Sequence, residues 1–199
     1  FGTDSLAVAA GEVYDLANNA AGTGSVFITS SDTTAPTITG RETRDLDNDG
    51  YIDAMRITFD EAILDSSVTA TDFTIAGAAN PTFVSTTAGD TADDADIYIT
   101  FDDGVLSTGV TPNVTYTAGT LTDLSTNALA TTAAVAATDA AGPVILTAVA
   151  SDETNILVGI DSDDTVTITF SENTDQPAIV AGTIDGILSL SNSHSWLDG

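Results

Sequence analysis

Cysteine and lysine are absent from this 199-residue chain, and histidine and tryptophan occur once each. Without cysteine there is no disulfide framework, no thiolate zinc site and no Cys nucleophile. A single His194 cannot build a His-rich metal site or a paired acid–base system. Positive charge is nearly missing too: Arg41, Arg44 and Arg56 face 30 Asp and Glu residues, for a formal charge of −27. Nucleic-acid binding needs a basic footprint that displaces counterions, so it is excluded, and adhesion to anionic lipid fails for the same reason. No apolar run approaches the roughly 18 residues of a membrane span, and no basic-then-apolar segment opens the chain. A start at Phe1 rather than Met leads us to expect a processed, excised or partial chain.

What is present is enough apolar surface to fold. Hydrophobic residues make up 42% of the chain, too many for a disordered acidic tail. They are mostly Ala, Val and Ile, the commonest residue is Thr, and Gly is frequent. This is the composition of short strands joined by turns, and it predicts an all-β fold. Alternation supports it. In 53–60, Met55, Ile57 and Phe59 point inward while Ala54, Arg56 and Thr58 point outward, and 97–101 and 166–170 alternate in the same way. The Ala-rich stretch 128–138 lacks an apolar stripe at helical spacing and reads as a terminal strand.

An internal repeat organises the chain. Asp15-Leu16-Ala17-Asn18-Asn19-Ala20 returns as Asp123-Leu124-Ser125-Thr126-Asn127-Ala128, and Asp32-Thr33-Thr34-Ala35-Pro36 as Asp139-Ala140-Ala141-Gly142-Pro143. Ile57-Thr58-Phe59-Asp60-Glu61 returns as Ile168-Thr169-Phe170-Ser171-Glu172. One complete unit therefore spans 36–142, with strands expected at 37–43, 53–60, 72–75, 82–86, 96–101, 113–117 and 132–137. Seven short strands in a unit of this size are the rhythm of an immunoglobulin-like β-sandwich. Residues 1–35 match only the last strands of a unit, around 6–8 and 26–28. Residues 143–199 match only the first ones, around 144–149, 165–170 and 186–190. Together the flanks lack a counterpart of 96–101, an inner strand whose loss would leave unpaired backbone groups and a cavity. We therefore expect further units on both sides rather than a sandwich shared between the tail of one copy and the head of the next.

These phrases resemble the tandem immunoglobulin-like domains of bacterial and archaeal surface proteins, surface-layer proteins and adhesins among them. The resemblance implies an extracellular, cell-surface structural array without catalysis, built by copies of the same chain.

The sharpest motif is Asp45-Leu46-Asp47-Asn48-Asp49-Gly50-Tyr51-Ile52-Asp53. Carboxylates at loop positions 1, 3, 5 and 9, Gly at 6 and the carbonyl of position 7 wrap oxygens around one centre, as calcium requires. Position 12 is Arg56 rather than a bidentate Glu, so this is not an EF-hand. The spacing resembles the calcium loops between strands of integrin-type propeller repeats. Asp45, Asp47, Asp49, Asp53 and the Tyr51 carbonyl are the expected calcium ligands. The arginines flank the loop and are expected to screen its periphery, for instance from Glu42.

Other acids are read more plainly. Asp90, Asp93, Asp94 and Asp96 share a loop, as do Asp161, Asp163 and Asp164, and a solvated acidic loop is the default for both. Asp32, Asp60, Glu61 and Asp139 fall at unit junctions, where calcium stiffens linkers in other tandem surface domains. A glycosidase would need a cleft and aromatic platforms, and Trp196 with four scattered Tyr supplies neither, so no enzyme is expected. His194-Ser195-Trp196 reads as a structural piece. Asn113-Val114-Thr115 fits the N-glycosylation sequon, so a glycan at Asn113 is a candidate modification. Two function classes follow: a load-bearing, self-associating coat or filament, which we favour, and the stalk or binding module of a calcium-dependent adhesin.

Overall fold

A computed structural model describes residues 4–28, 32–151, 165–191 and 195–196. Within 36–142 the strands fall where alternation placed them: β3 (Ile38–Arg44), β4 (Ala54–Phe59), β5 (Phe73–Ile75), β6 (Thr82–Phe83), β7 (Asp96–Thr100), β8 (Asn113–Tyr116) and β9 (Val135–Ala136). They form two antiparallel sheets, one ordered β3-β4-β7-β6 and the other β5-β8-β9. Side chains alternate across a strand, so each sheet has one apolar face, and the two faces share a core. Met55, Ile57, Ile97 and Ile99 enter it from the first sheet and Phe73, Val114 and Tyr116 from the second. The rings of Phe73 and Tyr116 are tilted against each other with centroids 5.0 Å apart. Each fully buried aliphatic side chain contributes about 1.5–3 kcal/mol. The fold is thus all-β and sandwich-like. Ala54 departs from the expected alternation: it is buried, lying in the central strand between Arg44 and Thr100.

The flanks reproduce parts of this unit residue by residue. β1 (Ser5–Ala7) pairs with β2 (Ser25–Phe27) through Leu6↔Val26, as β8 pairs with β9 through Val114↔Val135. The turns between them match as well. Tyr14 bridges Ala20 as Thr122 bridges Ala128, and Asn18 and Thr126 both take the left-handed conformation, φ 65° and 70°. Asp15 accepts the backbone N–H groups of Ala17 and Asn19, as Asp123 accepts those of Ser125 and Asn127. At the other end β10 (Ile145–Ser151) pairs with β11 (Thr165–Phe170), and the irregularity between Ile145 and Thr147 repeats the one between Ile38 and Gly40. What differs is cover. Leu6 is 69% exposed where Val114 is 0%, and Val166 is 42% exposed where Met55 is 0%.

The strand expected around 186–190 is not formed; a one-turn helix, α1 (Ile184–Ile187), stands there. In the complete unit the corresponding strand β5 is held by β8. Among the described residues 184–187 has no such partner, and its backbone closes local bonds instead, Leu188 N–H to Ile184 O at 2.8 Å. Trp196 donates Nε1–H to Leu188 O and Ser195 Oγ–H to Asp185, so these two residues tie the tail down. An apolar hollow of about 1090 Å³ opens beside β10 and β11, lined by Ile145, Val166, Ile168 and Phe170 together with Ile184 and Trp196. No helix among the described residues is long and apolar enough to cross a membrane.

Candidate metal centre

Residues 45–53 connect β3 to β4, and the Arg44↔Ala54 pair closes the loop at its base, with Asp53 N–H donating to Arg44 O. Two left-handed positions make the tight path, Asn48 at φ 61° and Gly50 at φ 97°. The carboxylates then turn inward on the loop's own backbone. Asp45 accepts Asn48 N–H at 2.7 Å and Gly50 N–H at 2.9 Å, Asp47 accepts Asp49 N–H at 3.3 Å, and Asp49 accepts Tyr51 N–H at 2.9 Å. Carboxylate oxygens of Asp45, Asp47 and Asp49 lie within 4.8 Å of one another. Asp53 stands outside that triple; its Oδ1 accepts Leu46 N–H at 2.9 Å.

The electrostatics are those of crowded anions. Desolvation and the charges of Asp49, Asp103 and Asp45 hold the Asp47 carboxyl above the usual range. Burial raises Asp53, with Asp47 and Asp45 adding to it. Like charges this close repel one another, and solvent screens the exposed members of the group. Among the described residues no ion pair brings an arginine to the loop. Arg44 binds Glu42 at 2.5 Å, and Arg56 binds Asp96 at 2.8 Å and Glu42 at 3.3 Å. Asp45, Asp47 and Asp49 could together hold a metal ion through hard oxygen donors.

The loop is also a junction. Ile52 is buried and donates to Leu106 O, Thr108 N–H donates to Gly50 O, and Tyr51 bridges Ser107. A Cβ at Gly50 would stand 2.7 Å from Leu146 Cδ2 and 3.0 Å from Ser171 Cβ, so the loop touches the β10–β11 pair. Ser171 Oγ there bonds Thr108 Oγ1 at 2.7 Å and accepts Val144 N–H at 2.9 Å.

At the other end of the unit the junction acids sort differently from expectation. Asp32 and Glu61 do meet, joined by Asp123, with oxygens within 4.8 Å of one another. Asp123 is buried, and although burial opposes its charge, Asn127 and the surrounding N–H groups hold its carboxyl below the usual range. Burial together with Asp32, Asp123 and Asp60 pushes Glu61 up. Asp60 turns instead to Thr37, accepting N–H and Oγ1–H at 2.7 Å each. Asp139 stands near the base of the 45–53 loop, where its Oδ1 accepts Thr43 Oγ1–H at 3.4 Å. Asp123 was missed as a site residue because its Asp-Leu-x-x-Asn-Ala phrase reads as a turn; its recurrence beside each junction was the available signal. In the 90–96 loop, Asp96 is taken by Arg56 and by Thr58 Oγ1–H. Asp161, Asp163, Asp164 and His194 lie outside the described residues. Asn113 is exposed at the start of β8.

Compared with known proteins, the chain matches no family model and is significantly similar to no curated protein and no solved structure.

Proposed function

We propose that this chain is a stretch of an extracellular, calcium-stabilised structural array made of tandem immunoglobulin-like units that associate with copies of themselves. The observation that carries the reading is the in-register repetition of the unit's hairpins on either side of it, bulge and Asp turn included. A unit repeated along one chain, each contacting its neighbours, is how load-bearing rods are built. The sheet order agrees with it. In the constant-type immunoglobulin sandwich the first, second, fifth and fourth strands make one sheet and the third, sixth and seventh the other, which is the order of β3-β4-β7-β6 and β5-β8-β9.

Calcium in this reading is bound by Asp45, Asp47, Asp49 and Asp53 and by the Tyr51 carbonyl. The ion acts structurally: it removes the repulsion among the carboxylates and stiffens the loop against Leu146 and Ser171 of the next unit. Nothing in the proposed role uses catalysis, and Asn113 offers an exposed position for a glycan.

The test is negative-stain electron microscopy with analytical ultracentrifugation of the purified chain, in millimolar calcium and in excess chelator. Ordered assemblies that form with calcium and dissolve with chelator are expected. Monodisperse subunits in calcium would overturn self-association and favour the adhesin module.

A further inference from the structure

The dipeptide Asp-Gly occurs four times, at 49–50, 103–104, 185–186 and 198–199, and the last lies outside the described residues. Such a step carries a reaction of its own. The backbone nitrogen of the glycine can attack the aspartyl Cγ, because no side chain on the second residue stands in the way, and the rate then depends on how the fold holds the two groups. The three described steps are held in different ways.

At 49–50 both groups are engaged elsewhere. Asp49 Oδ1 accepts Tyr51 N–H at 2.9 Å, Gly50 N–H donates to Asp45 Oδ2 at 2.9 Å, and Gly50 is buried. At 185–186 the carboxylate is held by Ser195 Oγ–H and by Trp196 N–H at 2.9 Å, while Gly186 N–H donates to Thr183 O at 3.1 Å. The step at 103–104 lacks such ties. Gly104 N–H points at the carboxylate of the preceding residue, with the nitrogen and Asp103 Oδ1 2.5 Å apart. Cγ is one bond from that oxygen, so the nucleophile and its target carbon are already neighbours. Both residues are exposed in the connection between β7 and β8. Gly104 takes the left-handed conformation at φ 79°, and a Cβ there would meet nothing within 4 Å, so packing does not oppose ring closure.

We propose that Asp103-Gly104 is a site of spontaneous succinimide and isoaspartate formation, selected by the fold over the Asp-Gly steps at 49 and 185. Gly104 N loses its proton to water as it bonds to Asp103 Cγ, and the Cγ–OH bond of the protonated carboxyl breaks to release water. Water then opens the five-membered imide at one of its two carbonyls. Opening at the former backbone carbonyl leaves the chain running through Cγ as isoaspartate, and opening at Cγ restores Asp103. Isoaspartate adds one carbon to the backbone of this connection. A few residues on, Leu106 O accepts Ile52 N–H, Ser107 bridges Tyr51 and Thr108 N–H donates to Gly50 O, so the change falls in the segment that braces the 45–53 loop.

The experiment ages the purified full chain at mildly acidic pH and body temperature, folded and, in parallel, in concentrated urea. The folded arm is run in calcium and in excess chelator, so that its outcome does not hang on ion binding at 45–53, and is read where circular dichroism shows the native fold. Isoaspartate is quantified at each Asp-Gly step by peptic mapping with electron-transfer fragmentation, which distinguishes it from aspartate. In the folded chain Asp103 is expected to isomerise roughly tenfold faster than Asp49 and Asp185, or more. In urea the three rates are expected to converge. Equal rates at the three steps in the folded chain would overturn the proposal. A difference that persists unchanged in urea would overturn it too, because local sequence rather than the fold would then set the rate.

Discussion

At the scale of single residues, the carboxylates divide into those paired with an arginine or a hydroxyl and those that, in the proposed reading, hold a cation. Asp96 belongs to the first kind. Burial opposes its charge, but hydrogen bonds from Arg56 and Thr58 and the Arg56 charge hold its carboxyl below the usual range. A depressed carboxyl contributes stability above the unfolded pKa of about 4, and the contribution is lost as pH falls through the lower folded value. Asp96→Asn should therefore cost about 1–3 kcal/mol at pH 7 and flatten the loss of stability below pH 4, measured by urea unfolding across pH. An undiminished acid limb would show that the pair is not its source. Asp49 belongs to the second kind. Asp49→Ala should lower Tm by several degrees in calcium and hardly at all in chelator, because an ion at about 100 times its Kd supplies about 2.7 kcal/mol to the native state. Equal loss in both conditions, followed by scanning calorimetry, would count against the metal.

At the scale of elements, the same strand pair occurs in two settings, and its side chains should differ in worth. Ile57 on β4 is fully buried, whereas its repeat counterpart Ile168 on β11 is half-buried at the edge of the apolar hollow. Ile57→Ala should cost about 2–5 kcal/mol in chemical denaturation, and Ile168→Ala clearly less in the same chain. Equal penalties would mean that β10 and β11 are already covered. The strands of the complete unit were legible in the sequence because one face of each is apolar and the other polar, so the period of two survives in 55–59 and 97–101. Ala54 was misjudged because a methyl group fits either face. The strand expected at 186–190 is replaced by α1 for another reason: a strand also needs a partner, and residue pattern carries no information on that. The site was half legible. Spacing named Asp45, Asp47 and Asp49, whereas the meeting of Asp123 with Asp32 and Glu61 depends on connections that only the folded sheets bring together.

At the scale of the whole molecule, a formal charge of −27 sets the conditions for association. Such a surface repels its copies across about 10 Å at 0.1 M salt, and the repulsion weakens as cations bind or screen it. Sedimentation should accordingly show association in calcium or at high monovalent salt and separate subunits at low salt with chelator. Stable assemblies under the last condition would contradict the electrostatic control. In the proposed reading calcium organises the 45–53 loop where one unit meets the next. It is tested most directly by anomalous diffraction from crystals of the chain grown in calcium. The predicted result is an ion about 2.3–2.6 Å from carboxylate oxygens of Asp45, Asp47, Asp49 and Asp53 and from the Tyr51 carbonyl. A loop without an anomalous peak, its carboxylates still bonded to the N–H groups of Leu46, Asn48, Asp49, Gly50 and Tyr51, would contradict it.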